Sequence, residues 1–259
     1  MRLTQLTKLL ALTVMASAAT FAASASAAII FDDFNVNEGH FAQQPSFAGQ
    51  SNVNTNSTAD RSTTGSFEGA GNEALVLNLR AAPDPVVNPA RSRFLSGGGT
   101  MANNNSFQTT AGTDGFIGFY YKTTTPGLRL SLNLDGDTVG DAAAAGAVAE
   151  MDMSPQITVI ADGNWQLAEF NLDAGGWAAV SGIGGGHAGG LLLDGTHTID
   201  SIYIQSITAS GSNVAFDFVA KSDSGSIAGL VIPEPSTGAL VIAGVGVVAA
   251  CVARRRRDA

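Results

Sequence analysis

Leu128–Leu134 reads LRLSLNL. Leu128, Leu130, Leu132 and Leu134 share one side of an extended chain, and Arg129, Ser131 and Asn133 share the other. Successive side chains alternate in this way only on a strand, so the period of two predicts a strand with one buried face. Outward in both directions the same grammar repeats. Ala74–Arg80 (ALVLNLR) alternates, Gly115–Thr123 (GFIGFYYKT) is aromatic and β-favouring, and Gln156–Ile160, Thr198–Ile207 and Asn213–Ala220 read as strands. Ala28–Asn35 (AIIFDDFN) suits a first strand and Arg91–Leu95 a short one. In Trp165–Leu172 (WQLAEFNL), Trp165 and Leu167 alternate, with Phe170 joining them after a one-residue slip.

Breakers separate these runs. Pro83, Pro85 and Pro89 follow one strand, Gly97–Gly99 another, and Asp135-Gly136-Asp137 makes a turn. Gly175–Gly190 carries eight glycines and reads as a long loop, while Gly39–Ser66 is polar and reads as loop with edge strands. Asp141–Glu150 (DAAAAGAVAE) is the one internal stretch with strong helix propensity, or else a low-complexity loop. About ten strands without a βαβ rhythm predict an all-β fold, an antiparallel β-sandwich.

The two ends read differently from this body. Arg2 and Lys8 precede an apolar run, Leu9–Phe21, and then ASASAA at Ala23–Ala28. That order predicts a secretory signal peptide over 1–27, with the mature chain starting near Ala28. At the other end, Pro233-Glu234-Pro235 precedes an uncharged run, 238–253, and then Arg254, Arg255, Arg256 and Arg257. The prolines favour an extended tripeptide. Ser236–Ala253 would be about 27 Å long as a helix, at the low edge of a membrane span. The arginine block would act as a stop-transfer signal on the cytoplasmic side. The organisation expected is therefore signal peptide 1–27, β-sandwich 28–221, linker 222–232 and tail 233–259, the tail holding a transmembrane segment at 238–253.

Charge and cysteine narrow the function classes. With both ends set aside, seven basic and twenty acidic residues remain, a body net charge of about −13 against −9 for the whole chain. No basic stripe offsets this, so nucleic acid is not an expected partner. The single cysteine, Cys251, lies in the tail, which excludes a disulfide scaffold and a cysteine nucleophile in the body.

The tail resembles the PEP-CTERM sorting signal of exopolysaccharide-producing Gram-negative bacteria, carried by Pro233, Glu234 and Pro235, the apolar run and the arginines in that order. The resemblance implies processing by an exosortase, a transient inner-membrane anchor, and delivery to the cell surface or extracellular matrix. The tripeptide would then be recognised by a partner enzyme. The alternative reading is an ordinary membrane anchor. In the body, Asp162–Asp173, His197–Ser206 and Asn213–Ala220, with the opening IIFDDFN, resemble a jelly-roll domain of the carbohydrate-binding-module type.

Candidate chemistry is sparse. Asp32, Asp33 and Asp217 belong to the first and last strands, and hard-oxygen ligation of a structural Ca²⁺ there competes with solvated carboxylates. Asp135, Asp137 and Asp141 do not complete an EF-hand spacing, since Val139 and Gly146 occupy ligand positions. His40, His187 and His197 have no metal-site spacing, and Ser46, Ser96 and Ser181 have no G-x-S-x-G frame. Trp165 reads as a core aromatic, and Trp177, beside Gly175 and Gly176, as the exposed candidate for stacking on a sugar ring. The functional expectation is an exported, non-catalytic surface or matrix protein. A carbohydrate-binding module tethering exopolysaccharide is the alternative, and a secreted glycan-active enzyme ranks behind both.

Overall fold

The computed structural model describes residues 28–36, 41, 45, 51–82, 90–95, 106–109, 115–136, 150–179, 195–223 and 225–230. Its strands are β1 (Ala28–Asp32), β2 (Thr58–Ser62), β3 (Ala74–Leu79), β4 (Ala90–Leu95), β5 (Ser106–Thr109), β6 (Phe116–Lys122) and β7 (Arg129–Gly136). They continue with β8 (Glu150–Met153), β9 (Ile157–Thr158), β10 (Trp165–Asn171), β11 (Ala178–Ala179), β12 (Gly195–Ile207) and β13 (Ser212–Ser222). One sheet runs β10-β6-β13-β3-β2, with β1 also on β13. The other runs β11-β8-β7-β12-β4, with β5 on β12 and β9 on β7. Every described pairing is antiparallel, as the sequence predicts.

The leucine alternation of β7 holds to the last residue. Leu128, Leu130, Leu132 and Leu134 are fully buried. Leu130, Leu132 and Leu134 pair with Ile204, Ile202 and Ile199 of β12. The first sheet answers with Leu75, Leu77, Phe119, Phe170, Val214 and Phe216, and one hydrophobic cluster joins the two sets. Truncating any of these leucines to alanine would cost about 2–5 kcal/mol in lost transfer energy and cavity.

Three aspartates sit where the ladders break. The β1–β13 register shifts between Ile30 and Asp32, the β13–β6 register between Asp217 and Ala220, and the β12–β7 register between Ile199 and Ser201. Bulges of this kind insert a residue and re-aim its neighbours. The shift at Asp200 explains how Ile199 and Ile202, an odd spacing apart, are both fully buried. Phe34 and Phe218 hold φ of 59° and 51°, a region bulky residues rarely adopt. Asp32 Oδ1 accepts the Phe34 N–H at 2.7 Å, and Asp217 Oδ1 accepts the Phe218 N–H at 2.9 Å. The carboxylates thus fasten the backbone at these two strained phenylalanines, Phe34 and Phe218.

Two expectations change. The β10–β6 register runs unbroken from Trp165–Lys122 to Asn171–Phe116, so no slip occurs. Trp165 and Phe170 therefore face opposite sides of the sheet. β5 and β8 were not foreseen; β8 begins at Glu150, and 141–149 lie outside the described residues. The chain divides into two units, residues 1–227 and 228–259. The signal-peptide stretch 1–27, His40, His187, Pro233-Glu234-Pro235, the run 238–253 and Arg254–Arg257 all lie outside the described residues.

Candidate functional site

The residues with chemistry to offer gather on the outer faces of the two sheets. On the first sheet, register places Val76, Ala215, Lys122 and Trp165 in one row across β3, β13, β6 and β10. Ala215 and Val76 are small, so the row dips between the edge and Lys122. A cavity of about 230 Å³ opens there, lined among others by Thr64, Gly65, Lys122, Thr124, Asn213 and Ala215.

Trp165 stands next to that cavity and shares two of its walls. Its indole Nε1–H donates to the Gly65 carbonyl at 3.0 Å, and Lys122 Nζ lies 6.0 Å from its ring centroid. Phe67 meets Trp165 edge-on at 6.2 Å and stacks on Tyr120 at 3.6 Å. Trp165, Phe67, Tyr120 and Lys122 are all half-buried. Among the described residues Lys122 forms no ion pair, so its N–H donors are not committed to a carboxylate. Burial, and Glu169 behind it, push the Tyr120 hydroxyl above its ordinary range, so Tyr120 remains a neutral phenol.

The segment Thr64–Glu68 is pinned over this face by Asp217. Asp217 Oδ2 accepts the Ser66 hydroxyl at 2.9 Å and the Phe67 N–H at 2.8 Å. The carboxyl is fully buried and has no cation beside it among the described residues. Burial pushes it up to about 6, against the pull of the Phe67 and Ser66 donors and with a small push from Glu68. Glu68 is itself raised, first by burial and further by Asp33, while the Asn35 amide at 2.6 Å holds it down.

The second sheet's outer face is built differently. Arg93 Nε donates to Asp200 Oδ2 at 2.8 Å and its Nη2 closes a second contact to Oδ1, a bidentate pair. Ser201 Oγ donates to the same carboxylate at 2.5 Å, and Asn133 Nδ2 donates to Ser201 Oγ at 3.1 Å. Asp200, Ser201, Asn133 and Tyr203 are buried. Ser131 Oγ and Asn133 Oδ1 are buried without hydrogen-bond partners among the described residues.

The residues singled out from sequence fall as follows. Asp32 and Asp217 are buried on neighbouring strands, Asp32 opposite Val219 and so two residues past Asp217. Asp33 is half-buried and accepts the Asn35 N–H at 3.0 Å. Among the described residues no three His, Cys, Asp or Glu side chains are grouped to hold a metal ion. Trp177 corrects the expectation made of it. Its side chain is 1 % exposed, packs edge-on against Phe170 at 6.4 Å, and donates its indole N–H to the Asn171 carbonyl at 2.9 Å. The flanking glycines marked a turn and said nothing about which way the indole points. Trp165 is the tryptophan on the surface, and the parity of 165 against 170 was the signal that places it there. Glu68 and Lys122 carried no sequence signal, because their neighbours come from β2–β3 and β13.

Comparison with known proteins adds two findings. No curated protein matches the chain. Among solved structures, the chain is similar to the family 11 carbohydrate-binding module from Clostridium thermocellum in complex with a β-1,3-1,4-mixed-linked tetrasaccharide. That similarity is at 13 % identity, TM-score 0.43, covering 77 % of this chain and 97 % of that one. It is also similar to the family 11 module of the cellulosomal cellulase Lic26A-Cel5E of the same organism, at 14 % identity, TM-score 0.40, covering 78 % and 98 %. Residues 231–257 match the PEP-CTERM protein-sorting motif, so the chain carries that sorting signal.

Proposed function

We propose that this chain is an exported protein handed to an exosortase at Pro233-Glu234-Pro235, held for a time in the inner membrane, and delivered to the cell surface or extracellular matrix. The observation that carries this reading is the sorting motif over 231–257. The signal-peptide pattern of 1–27 and the stop-transfer arginines 254–257 support it. Mass spectrometry of the protein in surface fractions tests it. The mature chain is expected to end near the tripeptide; a surface form still carrying Arg254–Arg257 overturns the proposal.

The body's role in this reading is non-catalytic. Three of its buried carboxylates, Asp32, Asp200 and Asp217, are occupied in fastening bulges, a strained backbone and an ion pair, which supports a structural use of its acids. Release of reducing sugar from exopolysaccharide by the purified protein would overturn this part. The half-buried Trp165 beside an open cavity favours a second reading, in which the body binds carbohydrate and tethers exopolysaccharide.

A further inference from the structure

We infer that the outer face of the first sheet is a glycan-binding subsite that takes one pyranose unit of a neutral polysaccharide, with Trp165 as the stacking platform and Lys122 as hydrogen-bond donor. The inference rests on the carbohydrate-binding reading and gives it a place and a ligand class.

Aromatic rings present a negative face that attracts the weakly positive C–H edge of a sugar, and a half-exposed tryptophan offers the largest such face. Trp165 is held rigidly enough to serve. Its N–H is fixed to the Gly65 carbonyl, Phe67 packs on it in a T-shaped contact, and Lys122 marks the limit of a cation–π contact at 6.0 Å. The adjoining cavity, about 230 Å³, is smaller than the roughly 300–1,000 Å³ of pockets that enclose drug-sized ligands. Trp165 stands at its margin without lining it, so the cavity receives the hydroxyls of a ring stacked on Trp165 while the polymer's other units lie across the surface. The cavity walls supply hydroxyl, amide and ammonium donors from Thr64, Asn213 and Lys122, the donors that sugar hydroxyls need.

Charge decides between a neutral and an acidic polymer. One lysine faces the cavity, while the body carries about thirteen net negative charges. Asp60 is exposed on β2 and Asp162 in the bend that leads into β10, and hydrogen bonds from Asn164 and Gln166 hold Asp162 below its ordinary value and so ionised. A repeating uronate would be repelled along its length for one favourable contact, whereas a neutral chain carries no such penalty. The site is absent from the sequence reading because that reading placed Trp165 in the core.

Affinity electrophoresis and calorimetry of the full-length protein with laminarin, dextran and alginate test the inference. A neutral glucan is expected to bind and alginate to be excluded. Trp165→Ala should weaken glucan binding about tenfold or more, and Lys122→Ala about threefold, each tenfold step being 1.4 kcal/mol. Trp165→Phe keeps an aromatic face and loses the bond to Gly65. It should retain most affinity, which separates stacking from displacement of the 64–68 segment. Glucan binding unchanged in both alanine variants overturns the site while the carbohydrate-binding reading stands. Alginate bound in preference to the glucans overturns the ligand class. No binding of any of the three polymers removes the carbohydrate-binding reading and this inference with it.

Discussion

The two outer faces of the sandwich hold the same kinds of residue and put them to opposite uses. On the second sheet, one cation, one carboxylate and one hydroxyl are spent on each other: Arg93, Asp200 and Ser201, with the Asn133 amide donating to the hydroxyl, form one connected network. On the first, Lys122 has no carboxylate and Asp217 has no cation among the described residues, and a cavity opens over the paired strands that carry them. Mutual satisfaction marks a group the fold consumes; an unspent donor beside room for a ligand marks one the fold leaves available. Composition alone does not distinguish the cases. Cross-strand register does, because it decides which charge meets which.

The largest effect should come from breaking the satisfied network. Arg93→Met leaves the Asp200 carboxylate buried without its partner, which costs about 3–5 kcal/mol. At roughly 2–4 °C per kcal/mol for a domain of this size, thermal unfolding should drop by about 6–20 °C. Lys122→Met keeps the aliphatic stem against Trp165 and removes only an unpaired ammonium, so its melting temperature should move by less than about 2 °C. Equal losses in the two variants, read by calorimetry, would erase the distinction between the faces.

The tryptophans sharpen the same contrast and show how much the sequence disclosed. Trp177→Ala removes a fully buried side chain and should cost about 3–5 kcal/mol, against about 1–2 kcal/mol for the half-buried Trp165. Denaturant midpoints at constant slope measure both, and a larger loss at Trp165 would reverse the assignment. Alternation was enough to find β3 and β7 within a residue or two, because one buried face imposes a period of two on each, and β-favouring aromatic composition marked β6. Those strands carry the antiparallel sandwich. β5 and β8 were missed because SFQT and EMDM are too short to show a period. The site was missed for a different reason. Lys122, Ala215 and Val76 meet through pairing across more than ninety residues of sequence, and Trp165 was assigned by its size instead of its parity. The sorting signal was fully legible, since its order of tripeptide, apolar run and arginines is local.

The uncompensated carboxyl of the first sheet makes that face titratable. The Asp217 carboxyl lies at about 6 in the fold, above its ordinary value of 3.8, so folding favours its protonated form. The stability from this group is fully present below about 3.8 and is lost as pH rises through about 6. A displacement of two units corresponds to about 3 kcal/mol, or roughly 6–12 °C. Asp217→Asn loses part of the bonding to Ser66, Phe67 or Phe218 at every pH but does not titrate. The excess in melting temperature of the natural protein over the variant should therefore shrink by most of that amount between pH 4 and pH 7. A difference independent of pH would show that the carboxyl does not titrate in the fold.

The smallest effect concerns calcium. From the sequence, ligation of a structural Ca²⁺ by Asp32, Asp33 and Asp217 competes with solvated carboxylates, and in the fold their oxygens accept the N–H groups of Phe34, Asn35, Phe67 and Phe218 and the Ser66 hydroxyl. A cation would have to displace those donors before it gained its six to eight oxygens. Adding about 1 mM Ca²⁺, the range in which extracellular modules saturate, should move the melting temperature by less than about 1 °C. A rise of several degrees, abolished by Asp33→Asn or Glu68→Gln, would mean that these carboxylates regroup around the ion. The first sheet would then hold a satisfied network of its own, with metal in the place that Arg93 takes on the second.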